Sequence, residues 1–212
     1  ATVYDADSWS VVHSVYDALV QYGAEGQLEP LLAESLEQID PLAWEIRLRE
    51  GVSFHNGEPF DARSVAVSVA HIQNPETGSQ VAANFAVIEA VEEVDAYTVR
   101  LKLSAPAPWL PAQMAAWLAM LPPDYAADPA NDFANNPVGT GPFRFEAWQR
   151  GAEIRLTANP DYFAGSPKGT PLAEDVRFRV APEATTRVAD LLSGTAAIVR
   201  GVPVDQIPAV EE

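Results

Sequence analysis

Apolar residues recur along this chain with two periods, one helical and one extended. Between residues 8 and 20, Val11, Val12, Val15, Tyr16 and Leu19 fall on one helical face, and Asp7 or Ser8 stands where a cap is needed. Gly23 and Gly26 then open a loop. Leu36 to Ile39 reads as a short strand, and Asp40-Pro41 as the turn after it. From Trp44 to Arg49 apolar and charged residues alternate strictly, the mark of a strand buried on one face, with Trp44, Ile46 and Leu48 inward. These two strands form a hairpin.

The next segment is a loop around Asn56-Gly57, a pair that favours tight turns. Asp61 is placed to cap a helix running to about Gln73, which Asn74-Pro75 stops. Residues 76–84 are small and polar, a surface loop. Ile88 to Val94 and Tyr97 to Leu103 predict a second hairpin turning at Asp95-Ala96. A short helix follows near Gln113 to Leu118, and residues 122–137 are a loop rich in Pro, Asp and Asn. Phe143 to Trp148 and Ala152 to Leu156 predict a third hairpin about Arg150-Gly151. Val176 to Val180, Pro182 to Ser193 and Ala196 to Val199 then read as strand, helix and strand, with Gly194 ending the helix. That order implies a parallel pair with a right-handed crossover. The fold class expected is mixed, α+β with an α/β unit at the end.

Charge and composition narrow the functional classes. The chain has 212 residues, with 13 Lys and Arg against 30 Asp and Glu, a formal net charge of −17. Such a balance speaks against nucleic acid, whose phosphates are bound by clusters of Lys and Arg, and against docking on an anionic membrane surface. With no cysteine there is no disulfide, thiolate nucleophile or zinc–thiolate site. The most apolar stretch, Trp109 to Pro122, is too short to span a bilayer and contains Pro111. The opening Ala1-Thr2-Val3-Tyr4-Asp5 has neither the basic nor the apolar region of a signal peptide.

Catalytic chemistry finds little support. Gly139-Thr140-Gly141 invites a phosphate-loop reading, but Pro142 removes an amide donor and a strand pattern follows where a helix is needed. His13, His55 and His71 lack the spacing of a helical metal pair. The many carboxylates would permit an acidic glycoside hydrolase, yet their abundance gives no particular pair priority. Trp9, Trp109, Trp117 and Trp148 sit near loops or element ends, where they either pack or line a cleft.

Three ordered blocks carry a resemblance. The first is Pro30-Leu31-Leu32-Ala33-Glu34-Ser35, followed by the run from Trp44 to Phe60 that includes Leu48-Arg49-Glu50-Gly51-Val52-Ser53-Phe54-His55-Asn56-Gly57. The second is Pro137-Val138-Gly139-Thr140-Gly141-Pro142-Phe143 with Asn159-Pro160-Asp161-Tyr162-Phe163. The third is Val176-Arg177-Phe178-Arg179, then Ala184-Thr185-Thr186-Arg187 and Leu191-Leu192-Ser193-Gly194. In order and spacing the chain resembles the extracytoplasmic solute-binding proteins of family 5, which serve peptide and nickel ABC transporters. It departs from their pattern at Thr195-Ala196-Ala197, where an acidic residue is common, at Ser64 before Val65, and at Phe163, where Trp is usual.

The resemblance implies a periplasmic binding protein-like fold of type II, a clam of two lobes with the ligand between them. Members of that family are considerably longer, so this chain would be part of the first lobe, with the second lobe absent. Residues 1–22 and 137–212 would belong to its central sheet, and residues 23–136 to an inserted antiparallel subdomain. It further implies a binding protein with no catalytic residue, metal or cofactor, whose partners are a peptide or small-molecule ligand and the ABC permease subunits, in the periplasm or at an extracytoplasmic membrane face. Two loops would meet the ligand: Tyr4, Asp5, Ala6 and Asp7 before the first helix, and Ser79, Gln80 and Val81 after Asn74-Pro75-Glu76-Thr77. A sensor with the same fold is a further possibility of the resemblance.

Overall fold

The computed structural model describes residues 6–210, with side chains from Ser8 onward. Helix α1 (Ala6–Val15) starts earlier than its apolar face predicts and ends five residues sooner. Asp7 and Ser8 therefore lie inside the helix and do not cap it. The early stop has a tertiary cause. Tyr16 N–H closes the last helical bond on Val12 O, and Val15 O accepts from Gly141 N–H, a residue from far along the chain. Val20 has already joined an antiparallel ribbon, β1 (Val20–Tyr22) with β2 (Leu28–Pro30).

A four-stranded sheet follows, built from β3 (Ala33–Asp40), β4 (Ala43–Leu48), β5 (Ile88–Asp95) and β6 (Thr98–Leu103) in the order β3-β4-β6-β5. Both hairpins expected from the alternation are present. The central pair is antiparallel with Ile46 opposite Val99 and Trp44 opposite Leu101, so the alternating apolar residues of both strands share a face. Ile46, Val99 and Leu101 are fully buried there, and Trp44 is half-buried.

Between the hairpins lies α2 (Ala62–Gln73), whose Val65, Val69 and Ile72 pack into the same core. Its start follows the sequence closely. The Asp61 carboxylate accepts from Arg63 N–H and Ser64 N–H, and Ser64 Oγ lies 3.3 Å from Asp61 N, a reciprocal cap. The stretch expected to be plain loop holds a 3₁₀ turn at Pro75–Thr77 and a single-turn helix α3 (Ala82–Phe85). Helix α4 (Leu110–Trp117) buries Leu110 and Met114 in the core, and α5 (Pro123–Ala127) follows it.

A three-stranded sheet in the order β7-β8-β9 closes the pattern, with β7 (Phe143–Gln149), β8 (Glu153–Ala158) and β9 (Asp175–Arg179). Ala158 N–H donates to Glu174 O and Val180 N–H to Ala152 O, which makes β9 antiparallel to β8. The chain divides into two compact units, residues 1–146 with 156–176 and residues 147–155 with 177–212.

The second unit contains α6 (Ala184–Leu192) and a final turn, α7 (Ile207–Val210). The strand expected at Ala196 to Val199 is not formed. Ala197 is a bend, Ala196, Ile198 and Val199 are irregular, and Ile198 is 85% exposed. The three-stranded sheet ends at β9, and the parallel crossover is not made. The segment is held instead by Ala196 N–H on Asp190 O and by Arg187. That guanidinium donates to the carbonyls of Ala181, Pro182, Arg200 and Gly201 at 2.7–3.0 Å.

Candidate functional site

Helix α4 is hydrogen-bonded by side chains of both α1 and α3. Trp9 Nε1–H donates to Ala116 O at 2.9 Å, and His13 Nε2 approaches the same carbonyl at 3.2 Å. That oxygen is in the last turn of α4, where no backbone amide remains to meet it, so side chains from α1 take the role. Since a carbonyl only accepts, the contact selects the Nε2–H tautomer of His13. The Trp9 and His13 rings lie 4.1 Å apart between centroids, tilted by 44°. Burial lowers the His13 pKa below its usual 6.5, and the nearby Lys168 charge adds to the shift, so the ring is neutral at pH 7.

Elsewhere α4 is bonded by α3. Asn84 Nδ2–H donates to Gln113 Oε1 at 2.7 Å. The preceding loop is stiffened by its own turn chemistry. Asn74 Oδ1 accepts from Glu76 N–H at 2.9 Å, Thr77 Oγ1–H donates to Asn74 O, and Gly78 takes the left-handed conformation that ends the 3₁₀ turn.

Of the seven residues expected to face a ligand, Tyr4 and Asp5 lie outside the described residues. Ala6 and Asp7 form the first turn of α1, and their side chains also lie outside the description. Ser79 is half-buried and its carbonyl accepts from Ala82 N–H; Gln80 is exposed. Val81 is 7% exposed and belongs to the core cluster.

A buried polar network that the sequence reading missed joins the end of α1 to two distant loops. Asp17 is 1% exposed. Its carboxylate accepts from Lys168 Nζ at 2.6 Å, Thr140 Oγ1 at 3.2 Å and Tyr162 OH at 3.3 Å. Lys168 also donates to His13 O and Tyr16 O. Burial pushes the Tyr162 hydroxyl pKa well up, and the Asp17 charge pushes it further, so it stays a donor. The signal in the sequence was Asp17 itself, a charge inside the run Val15 to Val20 whose every other member is apolar.

Gly139-Thr140-Gly141 is committed to this structure, and its two glycine amides are occupied. Gly139 N–H meets His55 Nδ1, Gly141 N–H meets Val15 O, and the Thr140 hydroxyl meets Asp17. A phosphate would find those two glycine donors taken. A nearby hollow of about 430 Å³ is lined by residues 53–57 with Arg144, Asn159 and Asp161. Its cation is already engaged, since Arg144 donates to Asn159 Oδ1 and, at 2.7 Å, to Asp161. The hollow therefore offers no free charge to a ligand.

Residues 27–212 match the family described as bacterial extracellular solute-binding proteins, family 5. The probable D,D-dipeptide-binding periplasmic protein DdpA of Escherichia coli K12 is 30% identical over all of this chain and 42% of its own length. Among solved structures, AgaA of A. tumefaciens R10 in complex with agropinic acid superposes with a TM-score of 0.89 at 30% identity, covering 97% of this chain and 41% of that one. The oligopeptide-binding protein AppA of Bacillus subtilis, in complex with a nonapeptide, gives 0.85 at 26% identity, with 99% and 42% covered. The fold is thus that of part of a type II periplasmic binding protein, and the chain spans about two fifths of the length of these relatives. The chain belongs to the bacterial extracellular solute-binding proteins of family 5.

Proposed function

We propose that the protein carrying this chain is the substrate-capturing component of an ABC importer, which takes up peptides or similar small solutes outside the cytoplasm and delivers them to a membrane permease. The family match over residues 27–212 carries the reading. The relatives' ligands widen it: one is named for a D,D-dipeptide, one holds a nonapeptide and one agropinic acid. No described helix is long and apolar enough to cross a membrane. The protein acts by binding and release, without turnover of its ligand.

In this reading residues 1–22 and 137–212 serve the central sheet of one lobe, and residues 23–136 form its inserted subdomain. The ligand lies against the segment Tyr4 to Asp7 and the loop Ser79 to Val81. A second lobe closes over it by hinge motion, which buries the ligand and makes the closed form the one the permease recognises. The bonding of α1 and of α3, the helix that follows the Ser79 to Val81 loop, to the same helix, α4, supports this placement. Calorimetric titration of the full-length protein with a peptide library tests the proposal. Saturable heat with peptides is expected. Silence toward peptides, metal chelates and oligosaccharides alike would overturn it.

A further inference from the structure

His55 makes three hydrogen bonds to a single short loop. Its backbone N–H donates to Gly139 O at 2.9 Å, its ring Nδ1 accepts from Gly139 N–H at 3.3 Å, and its Nε2 meets Gly141 O at 2.9 Å. The two ring contacts determine the proton. Gly139 N–H requires a bare Nδ1, and a carbonyl requires a protonated Nε2, so only the neutral Nε2–H tautomer satisfies both. The loop so held abuts the end of α1. Gly141 N–H donates to Val15 O, and a Cβ on Gly141 would stand 2.6 Å from Ser14 O and Val15 O.

We propose that His55 is an acid-sensitive latch on the 139–141 loop: the neutral ring clamps the loop to the 53–57 turn, and uptake of one proton at Nδ1 releases Gly139. The proton comes from solvent through the hollow beside residues 53–57. The N–H so formed at Nδ1 faces the N–H of Gly139, and two donors cannot share a bond. Three charged groups on neighbouring elements face the ring. Arg144 of β7 opposes protonation, Asp17 after α1 favours it, and Asp161 lines the same hollow while paired with Arg144. In its own turn, the Glu58 carboxylate is bonded to the amides of Asp124 and Tyr125. Burial is the largest influence on the ring and lowers its pKa from the usual 6.5, which keeps the latch shut near neutrality.

The test uses histidine-labelled full-length protein, followed by NMR of the imidazole nitrogens from about pH 8 to about pH 5, with hydrogen-exchange protection of the amides at 138–141. The His55 signal is assigned by its loss in His55→Gln, whose amide does not titrate. We expect the Nε2–H tautomer at the upper pH and a fall of about tenfold or more in Gly139 protection as the ring titrates, absent in His55→Gln. Should that variant fail to fold, His13→Gln and His71→Gln assign the other rings of this segment, and the wild-type titration decides alone. An Nδ1–H tautomer, a ring that does not titrate in this range, or Gly139 protection that ignores the titration would each overturn the latch.

Discussion

Lys168 reaches back 151 residues to place its ammonium 2.6 Å from the Asp17 carboxylate, at the end of the first helix. The Asp17 side chain is fully buried and that of Lys168 is 19% exposed, so the pair stands largely out of water. Removing one member leaves the other charge unpaired. Asp17→Ala is expected to cost about 3–5 kcal/mol of folding stability. Adding Lys168→Met should restore part of the loss, because no buried charge then remains. Urea unfolding of both variants measures this, and a double variant less stable than Asp17→Ala would contradict it.

Glycine at 141 is required by the approach of α1. Its amide bonds Val15 O, and a Cβ there would meet backbone oxygens that have no freedom to retreat. Gly141→Ala should cost about 3 kcal/mol or more through overpacking. Gly151 at the β7–β8 turn differs in kind. Its φ is +74° with open space around the missing Cβ, so Gly151→Ala should cost only about 1–2 kcal/mol, from backbone strain. Thermal or urea midpoints distinguish the two.

Gln80 and Val81 are adjacent in sequence and opposite in role. Under the proposed ligand placement, Gln80→Ala weakens ligand binding by about tenfold and leaves the thermal midpoint unmoved. Val81 is in the core, so Val81→Ala lowers stability by about 1–3 kcal/mol. Calorimetric affinity and thermal unfolding, measured on both variants, separate contact from packing.

All three histidines are held below their usual pKa of 6.5, in each case chiefly by burial. A folded state that prefers the neutral ring binds fewer protons than the unfolded chain between the two pKa values. Stability is then greatest above 6.5 and falls as the pH drops through 6.5 toward the folded-state values. Unfolding free energies measured across this window should decline on acidification. Replacing His55 with Gln should flatten the decline, and a stability that rises on acidification would refute the assignment.

Much of the fold is written in stretches of a few residues. The alternation from Trp44 onward matches β4, and Asp61 caps α2 as expected. Asn74-Pro75 ends that helix, and the three hairpins turn near Asp40-Pro41, Asp95-Ala96 and Arg150-Gly151. Each of these depends on a period or a turn preference that neighbouring residues satisfy among themselves. The family, too, was legible, because its blocks are local motifs in a specific order.

Other features needed the chain to return upon itself. The apolar face that predicts a helix to residue 20 cannot show that Gly141 will take Val15 O and that Val20 will enter a ribbon. The strand pattern at Ala196 to Val199 cannot show whether a sheet edge will take it up; in the fold Ala196 N–H bonds Asp190 O instead. Asp17 reads as a lone charge until Lys168, Thr140 and Tyr162 surround it. The sequence by itself determined the local elements and the family, since side-chain period and turn chemistry act over a few bonds. Tertiary structure alone decided where α1 stops, which charge is buried and what holds His55, because those outcomes turn on hydrogen-bond partners brought from more than eighty residues away.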